Sequence, residues 1–197
     1  MSIPWADIAT FSTAALSAVA TAGAWFAAHR STKTAETLAR IERDRRHEER
    51  RPQFALTLGG PNREYSTLDV QLVGPDELGE VEIVSIRVDD DDRDRSRLTP
   101  SSATREQLDN HVWGPFRFTP RTDGADEYGR AVASFRLKVG RGRPFQMDRT
   151  RPGTWMTGRT MDHWQEEYLG YPVRLVLTCR VGDEEWVLAR RLPNEPW

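Results

Sequence analysis

A chain of 197 residues is long enough for one ordinary domain plus an appendage, and its net charge of −2 places no strong field over the whole. The charge is uneven: residues 29–51 hold eight Arg or Lys against five Asp or Glu, and residues 52–197 hold twenty against twenty-four. A folded part of net −4 argues against nucleic acid as a partner, because neutralising phosphates needs a basic footprint. Cys179 is the single cysteine, so an intramolecular disulfide is excluded and a reducing compartment is favoured.

The first element is "IATFSTAALSAVATAGAWFAA", Ile8 to Ala28, twenty-one residues without an ionisable side chain. As a helix it extends roughly 31 Å, close to the hydrocarbon thickness of a bilayer. Trp5 and Trp25 bracket it at depths where indoles prefer to sit. Nine alanines and five Ser or Thr against six large apolar residues make it a marginal span. On a helical wheel Ile8, Leu16, Val19 and Phe26 share one face. The opposite face carries Thr10, Ala14, Ser17, Thr21, Ala24 and Ala28, spaced alternately four and three. That is the heptad rhythm of a helix-packing seam, and in lipid small seams let two helices approach closely. A membrane anchor is the favoured reading over a cleaved export signal, since "MSIPWAD" has no basic residue, and over a helix buried in a soluble core. The positive-inside rule then uses Arg30, Lys33, Arg40 and Arg43 to place the C-terminal part in the cytoplasm and the N-terminus outside.

Residues 29–51 continue as a charged helical stalk without Gly or Pro. Glu36 with Arg40 and Glu42 with Arg46 form favourable i, i+4 pairs, and Leu38 and Ile41 prolong the apolar positions. This leaves homo-oligomerisation through a short coiled coil and a solvated single helix both open. Pro52 ends the helix, which divides the chain into a transmembrane segment (1–28), a stalk (29–51) and a β domain (52–197).

From Gln53 the hydrophobic period becomes two. Strands are expected in "QFALTL", "TLDVQLV", "EVEIVSIRV", "PFRFT", "AVASFRLKV", "YPVRLVLTCRV" and "EWVLARRL", the last two joined as a hairpin by "GDE". Seven short strands parted by Gly, Pro, Asp and Asn predict a mainly β fold, an antiparallel Ig-like β-sandwich. Val173, Leu175, Leu177 and Cys179 form one inner-face set, and Ala133, Phe135, Leu137 and Val139 another. Two helical inserts are predicted, one capped by Thr99 with Pro100 at its first position, the other running from Thr160 to Gly170. Trp164 and Tyr168 share a face of the second and are expected to dock on the sheet.

No catalytic, cofactor or metal residues are assigned. "DDDDRDR" is read as a solvated turn, because consecutive aspartates point apart and Arg93 and Arg95 neutralise them; whether Asp89 to Asp94 hold a cation stays open. The four histidines lack ligand spacing. Asp162, His163 and Glu166 fall within one helical turn and are the nearest approach to a catalytic cluster. "GRGR" after Val139 lacks the P-loop lysine and reads as a turn. Trp155, in "RPGTWMTGRT", and the terminal Trp197 are candidate interface anchors.

The stretches "LVGPDELGEVEIVSIRVDDD", "REQLDNHVWGPFRFTP" and "VRLVLTCRVGDEEWVLARRL" resemble uncharacterised actinobacterial, streptomycete-type proteins with an apolar N-terminal helix, an Arg-rich helix and a β-rich domain. The resemblance implies an architecture and no activity or site residues. The expected function is therefore a membrane-anchored, non-enzymatic interaction or scaffold module, with the lipid bilayer and an unidentified protein as partners. The alternatives are an enzyme with a cryptic site in the β domain and a soluble structural oligomer bundled through its N-terminal helices.

Overall fold

The computed structural model describes residues 36–60, 64–93 and 103–194. The chain divides into two units after Glu49, each described by itself. In the first, residues 36–49 form helix α1. Arg46 pairs with Glu42 at 3.6 Å and Arg45 with Glu49 at 2.8 Å, one turn apart. Such exposed pairs contribute little, because water and salt screen them. Leu38 and Ile41 are exposed on this helix. α1 stops just before Pro52, whose ring disfavours helical geometry at Arg51. Among the described residues no helix is long and apolar enough to cross a membrane. The Ile8–Ala28 run, with the seam of Thr10, Ala14, Ser17, Thr21, Ala24 and Ala28, lies outside the described residues.

The second unit is mainly β, built from antiparallel sheets with few helices. Its strands are β1 (Gln53–Gly59), β2 (Tyr65–Gly74), β3 (Glu80–Asp89), β4 (Phe116–Phe118), β5 (Ala131–Val132), β6 (Phe135–Lys138), β7 (Gly142–Arg149), β8 (Val173–Val181) and β9 (Glu184–Leu192). The first sheet runs β1-β2-β7-β4; in the second, β5 and β6 both pair with β3, followed by β8 and β9. Strand periodicity sends alternate residues inward. Leu68, Val70 and Leu72 of β2 and Phe145 and Met147 of β7 meet Ile83, Ile86, Leu175, Leu177 and Leu188 of the other sheet in one core.

β7 departs from the expected strands. "GRGR" is a turn only as far as Arg141, with Gly140 at φ 77°, and Gly142 already begins the strand that joins β2 to β4. Pro144 conceals it, since proline cannot donate to a ladder. β4 pairs only with Met147–Arg149, so Pro144 sits opposite Asp69 where β7 has a neighbour on one side. The expected strand 131–139 is split into β5 and β6 at residues 133–134, leaving Ala133 exposed rather than inward.

Helix α2 (Arg105–Asn110) is capped by Thr104, not Thr99. The Thr104 hydroxyl accepts from Gln107 N, and the Gln107 side chain accepts from Thr104 N, a reciprocal capping box. Helix α3 (Met161–Glu167) starts after Thr160, whose hydroxyl accepts from His163 N, and its last turn runs to Gly170.

Candidate functional site

α3 is held by a second apolar cluster, separate from the core between the sheets. Trp113, Trp164 and Tyr168 are its buried members, with Leu108 and Met156 against them. Trp164 and Tyr168 do share a face, with ring centroids 5.0 Å apart. The Trp164 indole donates to Thr150 Oγ1 at 2.9 Å, and that hydroxyl donates to Gly114 O. His111 stands among three indoles, its centroid 4.6 Å from Trp113, 5.3 Å from Trp155 and 5.6 Å from Trp164, all edge-on. Edge-on packing aims positive ring edges at the negative faces of neighbours.

The aspartate run is the correction with most structural consequence: its described part, Asp89 to Arg93, is a tied junction rather than a solvated turn, and Asp94 and Arg95 lie outside the described residues. Asp90 accepts from Trp113 N at 3.0 Å and from Arg130 at 3.2 Å, while its backbone carbonyl accepts from Arg174 at 3.0 Å. Asp92 takes a bidentate pair from Arg174, which holds its carboxyl below the ordinary range. Arg93 reaches Glu167 of α3 at 2.7 Å and lies over the Tyr171 ring at 4.0 Å. Charge-assisted bonds of this kind are stronger than neutral ones. Asp90 and Asp92 therefore fasten the end of β3 to β8, and Arg93 ties it to α3. Among the described residues no group of three or more His, Cys, Asp or Glu is arranged to hold a metal ion. Cys179 is buried, and burial pushes its thiol up to about 11. A thiol so protonated is a poor nucleophile.

Two concavities flank the segment that follows β7. The larger, of about 710 Å³, lies between α3 and the ends of β2 and β7. Glu64, Tyr65, Gln146, Asp148, Asp162 and Gln165 line it, with Arg151 and Pro152 on the loop side. The smaller, of about 510 Å³, lies on the α2 side and includes Glu106, His111, Arg117, Tyr128 and Trp155. Arg151 and Pro152 face the first and Thr154 and Trp155 the second, so residues 151–155 form a ridge with a groove on each side. Strand register sets lining residues of the two side by side. Tyr65 of β2 is the partner of Asp148 of β7, and Asp148 is the partner of Arg117 of β4. The three make a cross-strand row on the face of the sheet turned away from the core.

Within this site Asp148 accepts from the Thr119 hydroxyl at 2.6 Å. Arg117 is half-buried, and burial lowers its pKa, partly offset by Asp148. Its side chain donates to Tyr128 O at 3.4 Å. Trp155 is half-buried and set by close packing: a methyl group on Gly153 would come within 2.5 Å of the indole. A large ring held this way costs little entropy when a partner covers it.

The expected site residues are thus distributed unevenly. Trp155 lies in a groove, and Trp197 is outside the described residues. Asp162 lines the larger cavity, whereas His163 and Glu166, both exposed, are not among its walls, so the "DHWQE" turn does not converge on one point. Tyr65, Gln146, Asp148 and Arg117 were not anticipated. Period-two reading marks them as outward, but their adjacency comes from pairing between β2, β7 and β4. Comparison with protein-family models, curated proteins and solved structures gives no match for this chain.

Proposed function

We propose that the chain is a membrane-anchored, non-enzymatic interaction module that presents an Ig-like β-sandwich at the cytoplasmic face, N-terminus outside. The sheet orders support the Ig-like reading. β1-β2-β7-β4 parallels the A-B-E-D order, and β6-β3-β8-β9 parallels C′-C-F-G. The departure is in chain order, because the strand in the D place precedes the pair in the C′ place. The bilayer reading rests on the uncharged Ile8–Ala28 run and the basic flank after it. Anchoring raises the domain's effective concentration near a partner without chemistry.

The observation that carries the interaction reading is the half-buried Trp155 wedged beside Gly153 and His111 on a ridge between two grooves. Rigid tryptophans with one open side are typical anchors of protein interfaces. The test uses the full-length protein in its membrane, with a photo-crosslinking residue at Thr154. A partner crosslink that Trp155→Ala reduces at least about tenfold is expected. Extraction of the chain from membranes by alkaline carbonate would remove the anchor.

The polar cavity beside Asp162 is the one observation favouring an enzyme instead. Turnover of a small molecule by the purified protein, abolished by Asp162→Asn, would establish that alternative.

A further inference from the structure

We propose that the free edge of β9 pairs with the same edge of a second copy of this chain, antiparallel and about a two-fold axis beside Leu188. The inference concerns the second sheet and does not depend on the partner read at Trp155. β9 ends that sheet, and no strand lies beyond it among the described residues. Its edge is nine residues long, without proline and without a register shift against β8. The other sheet ends are blunted: β4, β5 and β6 have only two to four residues, and β1 is bulged after Gln53.

The hairpin decides which backbone groups the edge offers. Gly182 and Asp183 form a two-residue loop, so Val181 and Glu184 are a hydrogen-bonded pair, and bonded pairs recur at every second residue. Glu184, Trp186, Leu188, Arg190 and Leu192 therefore turn N–H and C=O toward β8. Glu185, Val187, Ala189 and Arg191 turn theirs outward, and all four are exposed. The Arg190 side chain donates to Ala189 O at 3.0 Å, as an outward carbonyl permits, and the oxygen keeps a second lone pair for a strand N–H.

The side chains select a second copy as the occupant. Pairing about Leu188 sets Glu185 opposite Arg191 of the second copy and Val187 opposite its Ala189, each twice by symmetry. Acid meets base at the ends and apolar meets apolar between them, the favourable arrangement across paired strands. A slip of two residues one way sets Glu185 against Ala189, and the other way against Pro193, so only this register keeps the charges matched. Val187 is 62% exposed and stands beside Thr178, with Val176 beside Ala189, so the pairing extends a row already present on the sheet. Arg180, the neighbour of Glu185 on β8, is engaged by Glu82 at 3.0 Å. Arg191 lies 3.7 Å from Asp92 with both groups mostly exposed, a screened contact that yields to a better-placed carboxylate.

The test is sedimentation equilibrium of the full-length protein in density-matched detergent micelles, where a reversible dimer is expected. Glu185→Arg and Arg191→Glu should each raise its dissociation constant at least about tenfold, and the two combined should return it to within about threefold of the starting value. A second measurement changes no charge. Val187→Cys and Ala189→Cys proteins, mixed under mild oxidant, should form the crossed disulfide about ten times faster than either forms one with itself, because opposed residues are within disulfide reach and diagonal ones are not. Cys179 is buried and does not compete. A monomer at every concentration overturns the proposal, as does a dimer indifferent to the single variants, which places association elsewhere in the chain. So does a combined variant no better than the single ones, or same-position disulfides that form as fast as the crossed one.

Discussion

The β unit has two apolar centres, and they are built on different terms. Between the sheets the packing is mainly aliphatic and phenyl, with Trp186 its indole member: Leu68, Ile83, Phe145 and Leu177 are wholly buried and need no polar partner. Under α3 the packing is indole and phenol, and each large ring brings a polar edge that must be satisfied. Trp164 needs Thr150, Thr150 needs Gly114, and the helix is further tied through Glu167 to Arg93 and Arg159. The first centre derives its strength from area removed from water, the second from geometry. The candidate binding surface lies over the second, where a few directional bonds hold loop 151–155 and α3 against the sheet.

Cutting into the first centre should have the largest effect. Phe145→Ala removes a fully buried ring contacting Phe118 and Phe135, with an expected loss of about 3–5 kcal/mol. Denaturant unfolding should show the transition of the strands shifted by that amount; strands as resistant as in the unsubstituted protein would contradict it.

Alkaline titration probes the same centre more gently. The Cys179 thiol is raised to about 11 from 9.0 because burial opposes the thiolate. Its contribution is fully present below pH 9 and is lost as pH rises toward 11, since only the unfolded chain ionises easily in that window. The expected decline is up to about 2–3 kcal/mol, and Cys179→Val should flatten that part of the stability curve. A curve unchanged by this substitution would mean that other groups govern the alkaline limb.

The second centre should respond locally. Trp164→Phe keeps an aromatic ring but leaves the Thr150 hydroxyl without its indole donor, an expected cost of about 1–2 kcal/mol. Hydrogen exchange should quicken across residues 161–171 while β3 and β8 remain protected. Equal acceleration in all elements would merge the two centres into one cooperative unit.

Much of this arrangement is legible along the chain, and the places where legibility stops are instructive. Val173, Leu175, Leu177 and Cys179 alternate strictly and are buried as the alternation implies. Thr160 with Asp162 in the next turn marks the start of α3, because a cap is a local hydrogen bond between residues three apart. β7 is hidden by Pro144, whose cost depends on whether a neighbouring strand lies on that side. Asp89 to Arg93 read as a solvated turn because their partners Arg130, Arg174 and Glu167 lie roughly 40 to 80 positions away. The same holds for the site: Trp155 stands out by composition, while Tyr65, Asp148 and Arg117 look like ordinary outward residues.

The sequence by itself determined the period of each strand, the inward set of most of them, the capping of α3 and the end of α1 before Pro52. These depend on neighbours within a few residues, where backbone geometry dictates which side chains share a face. Only the tertiary structure decided which strands pair beyond the β8–β9 hairpin, that the aspartates are bound by distant arginines, and that a ridge between two grooves forms beside α3. Those outcomes depend on contacts that loop closure brings together, and the order of residues along a chain does not encode their distance in space.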